Sequence, residues 1–156
     1  MANFRIVVGV DGSEGGRRAL AWAVREAMPR GGAVQAVSAW RWDGLDMPPH
    51  AATHPDQERD RADRVLAQEI EALPDVDRVG VSIAAEVVEG RAADVLTAAA
   101  RDADLLVLGS HGHSRVRHTV LGSVSEECIR KATCPVVVLP VPHPVLTASA
   151  EPAIRA

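Results

Sequence analysis

The sequence predicts a doubly wound α/β domain, a three-layer sandwich with a five-stranded parallel sheet between four helices. Two observations predict it. Short apolar runs alternate with segments of helical period from residue 4 to residue 140, the pattern of a parallel sheet whose crossovers are helices. Two of the runs end in polar, glycine-containing loops, VGVDGS after the first and GSHGHS after the fourth, as strands do where a ligand sits at their carboxyl ends. With 156 residues the chain is one ordinary domain, long enough to bury roughly 70% of the surface its unfolded form exposes.

The first strand is FRIVVGV, residues 4–10. A helix follows over 14–28, with Ser13 as N-cap and Ala19, Leu20, Ala23, Val24 and Ala27 on one face. After Gly31-Gly32, AVQAVSAW (33–40) is the second strand. Residues 41–55 are rich in Pro and His without a period and read as an exposed loop. The second helix covers 56–73 and buries Ala62, Val65, Leu66, Ile70 and Leu73 along one stripe. The third strand is 79–88, the third helix 91–101, and DLLVLG (104–109) the fourth strand. Residues 123–133 form the fourth helix and PVVVLP (135–140) a short fifth strand. The domain spans 1–140; the tail 141–156, with three prolines and no period, is expected to be mobile.

Composition excludes several classes. A net charge of −4 argues against a nucleic-acid partner, which needs a basic face. Sixteen of the seventeen basic residues are Arg, scattered along the chain. No apolar stretch reaches the roughly 18 residues of a membrane span. Cys128 and Cys134 make no framework and no CxxC, and MANFRIVVGVDG, polar again after one short apolar run, does not read as a signal peptide. The expectation is a soluble, reduced, cytoplasmic protein.

The chemistry concentrates after the fourth run. Gly109, Gly112 and the pair Gly122-Ser123 stand in the order G-x2-G-x9-G-S. A strand that ends on glycine, a loop and a helix starting at Ser123 let backbone N–H groups face an anion, where the helix dipole also favours negative charge. It is not a Walker A loop, since no G-x-x-x-x-G-K-[ST] occurs and the one lysine is Lys131. SVSE also reads as a capping box, with Ser123 as N-cap and Glu126 at N3, which accounts for both residues without a ligand. Gly109 and Gly112 shift the balance, because a plain cap does not need them and close approach of a phosphate does.

Gly9 breaks an apolar strand, either for tight helix packing or for close approach of a ligand. Asp11 is either a turn residue before Gly12 or a carboxylate for ribose hydroxyls or a hydrated cation. His111, His113 and His118 suggest a metal, but a third ligand at fixed geometry is missing, and a solvated loop is the better reading. Arg115 and Arg117 either neutralise phosphate or are simply exposed. Cys134 reads as a small core residue. No nucleophile elbow or triad can be assembled.

Taken together, IVVGVDGS at the first strand and LLVLGSHGHS…VLGSVSEECIRKATCPVVVLP at the end make residues 4–140 resemble a single-domain universal stress protein of the ATP-binding subgroup. The resemblance implies an adenine nucleotide alpha hydrolase-like fold with strand order 3-2-1-4-5. It implies ATP, with Mg2+, its phosphates at Gly109, Gly112, Gly122 and Ser123, and Asp11 near the ribose. Ala39 and the segment 87–90 would lie beside the adenine. The full nucleotide set is Gly9, Asp11, Ala39, Gly109, His111, Gly112, His113, Ser114, Arg115, Gly122, Ser123, Val124 and Ser125, with no catalytic residue and no protein metal centre. Such proteins are expected to dimerise through the last strand. His111 and His113 depart from the basic or small residues frequent in the family. Trp40 and Trp42 either pack on the base or cover the sheet edge.

Three functions compete. The leading one is a nucleotide-dependent regulatory protein of the stress response that turns ATP over slowly or not at all. A ligase or transferase of the related fold would need a substrate pocket and acid–base residues near the phosphates, and no such base is evident. A pure interaction module with an empty cleft does not account for the intact glycine set.

Overall fold

Strands and helices alternate along the chain as their periodicities require. The structure is a computed structural model that describes residues 3–43, 50–51, 53–113 and 121–140. In order they form β1 (Arg5–Gly9), α1 (Glu14–Ala27), a 3-10 turn (Met28–Arg30), β2 (Ala33–Trp40), α2 (Pro55–Glu71), the single turn α3 (Asp75–Arg78), β3 (Ser82–Glu89), α4 (Ala92–Ala99), β4 (Leu105–Gly109), α5 (Ser123–Lys131) and β5 (Val136–Leu139). All pairings are parallel, in the order β3-β2-β1-β4-β5. This is the predicted sheet, with the order reversing direction between β1 and β4.

Period-2 alternation sends the β1 residues to two cores. Ile6 and Val8 pack with Ala19, Leu20, Ala23, Val24 and Ala27 of α1 and with Leu66 of α2. Val7 packs on the opposite face with Val95 and Leu96 of α4 and Cys128 of α5. Every α1 residue assigned to the inner face from spacing is fully buried. The fully buried Leu20 gains about 1.5–3 kcal/mol from leaving water, and truncating it to Ala would cost about 2–5 kcal/mol. Ser13 starts α1 as expected, its side chain accepting from the Gly16 amide at 3.1 Å.

Three local expectations are corrected. The third strand starts at Ser82, not at residue 79, because Gly80 takes φ +84° and turns the chain, leaving Val79 73% exposed. The last helix stops at Lys131. Its N-cap is Gly122, and no side-chain capping bond is made; Ser123 is the first helical residue, so the capping box does not form. Among the described residues no helix is long and apolar enough to cross a membrane. Ser114, Arg115, Arg117, His118 and the tail 141–156 lie outside the described residues, as do the expectations attached to them.

Candidate functional site

Because β1 and β4 are neighbours, their carboxyl-end loops meet at the switch point of the sheet. A cavity of about 590 Å³ opens there, within the range of about 300–1,000 Å³ usual for small-molecule sites. Gly9, Asp11, Ala39, Gly109, His111, Gly112, His113, Gly122, Ser123, Val124 and Ser125 all line it. Residues 11 and 125 stand 114 positions apart in the chain; the parallel crossovers bring them to one wall.

Two kinds of wall face each other across this space. Val37 and Ala39 of β2, Ala92 and Leu96 of α4 and Leu108 of β4 supply apolar surface. The first turn of α5 supplies donors. Its first internal bond runs from Glu126 N to Gly122 O at 3.0 Å, and Gly122 N donates to Ser110 O at 2.6 Å. The amides of Ser123, Val124 and Ser125 have no partner among the described residues. These are the orphan donors every helix start carries, here opening into a cavity with the positive end of the helix dipole behind them. An anionic oxygen fits that position by hydrogen bonding and by charge. The Ser125 hydroxyl instead donates to Gly109 O at 2.6 Å, so this side chain fastens α5 to the end of β4 and only its amide faces the anion position.

The glycines divide by what their missing Cβ would meet. On Gly109 a Cβ would lie 2.7 Å from the Gly15 carbonyl carbon, and on Gly15 one would lie 2.6 Å from His111 O. The crossing of α1 over β4 therefore requires Gly109 whatever the ligand, and Gly109 also lines the cavity. On Gly112 a Cβ would come 2.7 Å from Asp11 Oδ2, and on Gly122 one would come 3.1 Å from Ser110 O. The space the Gly9 side chain lacks is filled by Leu96 and Leu108 at 3.0 Å, which is its packing reading, and Gly9 also lines the cavity.

Asp11 is organised before any ligand arrives. Oδ1 accepts from Ser13 N at 2.9 Å and from the Ser13 hydroxyl, while Oδ2 is turned to Gly112. Its carbonyl oxygen lies 2.6 Å from His113 Nε2; a carbonyl only accepts, so Nε2 carries the proton. That bond ties the loop after β4 to the loop after β1. His111 Nδ1 lies 3.1 Å from Ser110 Oγ. The described residues contain no group of three or more His, Cys, Asp or Glu that could hold a metal.

Two expectations shift. The segment 87–90 does not contribute to the cavity wall: Gly90 N donates to Trp40 O at 2.9 Å and closes the β2–β3 end. Trp42 is engaged elsewhere, its Nε1 donating to Thr53 O at 2.6 Å ahead of α2. Sequence reasoning missed Ser13, Gly16, Leu96, Leu121 and Glu126 as lining residues. A signal existed for one of them: the pair Gly15-Gly16 inside a helix costs about 1 kcal/mol per glycine relative to Ala, which asks for a packing reason.

Comparison with known proteins places this geometry in a family. The family model described as "Universal stress protein family" matches residues 3–140. A universal stress protein of Mycobacterium tuberculosis is 34% identical over 139 residues, which cover 86% of this chain and 47% of that protein. The chain thus spans about half the length of the curated relatives it matches. Among solved structures, the universal stress protein UspA from Lactobacillus plantarum superposes with TM-score 0.73 at 21% identity, over 89% of this chain and 99% of that one. A universal stress protein from Archaeoglobus fulgidus in complex with dAMP superposes with TM-score 0.64 at 26% identity, over 88% and 98%.

Proposed function

The chain belongs to the universal stress protein family, and from that premise we propose that it is an ATP-binding regulatory protein of the stress response with little or no hydrolysis. The observation that carries the reading is the set of three amides at the start of α5 that have no partner among the described residues and open into a cavity whose other wall is apolar. An adenine nucleotide has the matching halves, a flat apolar base and an anionic phosphate chain. The solved relative from Archaeoglobus fulgidus holds dAMP, which supports a nucleotide of this kind.

ATP fits the donors present. The amides of Ser123, Val124 and Ser125 would hold phosphate oxygens, and Asp11 Oδ2 would take the ribose hydroxyls or a hydrated Mg2+ on the phosphates. Magnesium would supply charge neutralisation along the phosphate chain. Slow turnover belongs to this reading because no residue is assigned to orient an attacking water in line with the terminal phosphate. Phosphoryl transfer relies on positioning and cationic stabilisation, and the one lysine, Lys131, is bound to Glu127 at 2.7 Å and Asp94 at 3.0 Å on the outer surface. Both cysteines are free, which supports a reducing, cytoplasmic setting. The apolar edge strand β5, half-buried along its length, supports a homodimer joined edge to edge.

Titration of the purified chain with ATP, AMP and adenosine, with and without Mg2+, tests the reading. Mass spectrometry of whatever heat denaturation releases identifies the resident ligand. The expected result is tightest binding of ATP, strengthened by Mg2+; equal affinity for adenosine and ATP would sink it. Steady turnover near about 1 per second, an ordinary kinase rate, would replace it with an enzyme.

A further inference from the structure

Four charged side chains outside the cavity form a closed ring across α4 and α5. Lys131 Nζ lies 2.7 Å from Glu127 Oε1 and 3.0 Å from Asp94 Oδ1. Arg91 Nη2 lies 3.0 Å from Glu127 Oε2, and Arg91 Nη1 lies 3.4 Å from Asp94 Oδ2. Arg91 and Asp94 belong to the start of α4, Glu127 and Lys131 to α5. Every member touches two of opposite charge. The ring sits on the two helices that wall the cavity, since Arg91 precedes the lining residue Ala92 and Glu127 follows the lining residue Glu126.

The helix it grips has little else to hold it. Among the nine residues of α5 only Ser125 and Cys128 are buried, both small, while Val124 and Ile129 are 38% and 47% exposed. A nine-residue helix is marginal without tertiary support. Its N-terminal end has the Ser125 and Gly122 hydrogen bonds; along its length it has the buried Cys128 against Val7 and Leu96, and the ring. Glu127 is the best covered member, its side chain 19% exposed. The Lys131 hydrogen bond holds the carboxyls of Glu127 and Asp94 below their ordinary values.

We propose that Arg91, Asp94, Glu127 and Lys131 act as positioning residues for the nucleotide site: the ring holds α5 to α4 so that the amides of Ser123, Val124 and Ser125 stay aligned on one phosphate position. The inference rests on the nucleotide reading above. It makes affinity for phosphate depend on side chains that never touch the ligand, because a cradle held in shape needs no ordering when the anion binds.

The variant Glu127→Gln separates this from simple electrostatics by sign. Removing a negative charge near an anion site strengthens ATP binding through the field alone. Loosening the ring weakens it, by about three- to tenfold for the two pairs lost. Calorimetric titration with ATP and with adenosine reads both, and exchange at the hydrogen-bonded amides 126–129 reports how firmly the first turns of α5 are held. The expected result is weaker ATP binding by Glu127→Gln, adenosine binding within about twofold of wild type, and faster exchange at 126–129. Lys131→Arg, which keeps the charge, should bind ATP as wild type does, and Asp94→Asn should move affinity in the direction of Glu127→Gln. ATP affinity equal to or above wild type in Glu127→Gln would overturn the proposal and leave the ring as surface charge. A parallel loss for adenosine, or lost protection throughout the domain, would overturn it in favour of general destabilisation. Wild-type protein that binds neither ligand would instead remove the nucleotide reading on which the proposal stands.

Discussion

Replacing Gly109 with Ala tests whether the motif glycines serve the ligand or the fold. The new methyl would sit 2.7 Å from the Gly15 carbonyl carbon and 2.9 Å from its Cα and oxygen. All three are backbone atoms of the α1 first turn, so no side-chain rotation relieves the overlap. The helix must move, and α1 has Ala19, Leu20, Ala23, Val24 and Ala27 fully buried behind it. Overpacking costs about 1–3 kcal/mol where side chains can adjust; here the upper end applies, about 3 kcal/mol. For a chain of this length that lowers the melting temperature by about 6–12 °C. Gly112→Ala is the control. Its methyl would lie 2.7 Å from Asp11 Oδ2, a side-chain atom that can yield by straining the Ser13 bonds to Oδ1, so it should cost about 1 kcal/mol while disturbing the carboxylate that faces the cavity. Urea and thermal denaturation give the stabilities, and ATP titration gives the affinities. Equal destabilisation by the two variants, or a Gly109→Ala protein that melts with the wild type, would refute the division of the motif into a packing glycine and a site glycine.

Ser13→Ala should cost about 1 kcal/mol through the lost α1 cap, whereas Ser123→Ala should stay within about 0.5 kcal/mol, because its side chain caps nothing; urea midpoints decide between this and a capping role for Ser123. Burial pushes the fully buried Cys128 thiol up to about 11 from an ordinary 9.0. Its contribution to stability is therefore full below pH 9 and is lost as pH rises toward 11, where only the unfolded chain ionises readily; at pH 8 the half-buried Cys134 should react first with a disulfide reagent, and prompt labelling of Cys128 would contradict its burial. At β5, Leu106 N donates to Pro135 O and Ser110 N to Leu139 O, so the alternate residue Val138 turns its amide to the free edge. Val138→Pro should split an edge-to-edge dimer without removing a β4–β5 bond, and light scattering that finds the wild type monomeric would remove the dimer.

Periodicity alone determined the elements. The inner face of α1 and the bounds of β2 were legible because a helix repeats every 3.6 residues, a strand every 2, and burial follows that repeat; of the expected α2 stripe, Leu66 and, past the helix end, Leu73 are buried, while Ala62, Val65 and Ile70 are half-buried. The motif likewise marked the loop after β4 and the helix start at residue 123, because those signals are local in the chain. Local signals also misled. SVSE satisfies the pattern of a capping box, yet Gly122 holds the cap position, since Gly122 N is drawn to Ser110 O and Ser125 Oγ to Gly109 O. The three motif glycines look alike in sequence; only the crossing of α1 over β4 gives Gly109 its reason, and only the position of Asp11 gives Gly112 its own. Glu126 and Leu96 reached the cavity wall, and Arg91 met Glu127, through parallel crossovers that bring together helices 36 residues apart. Distance along the chain carries no record of such contacts, because sheet order sets them and each strand's sequence encodes its own faces rather than its neighbours.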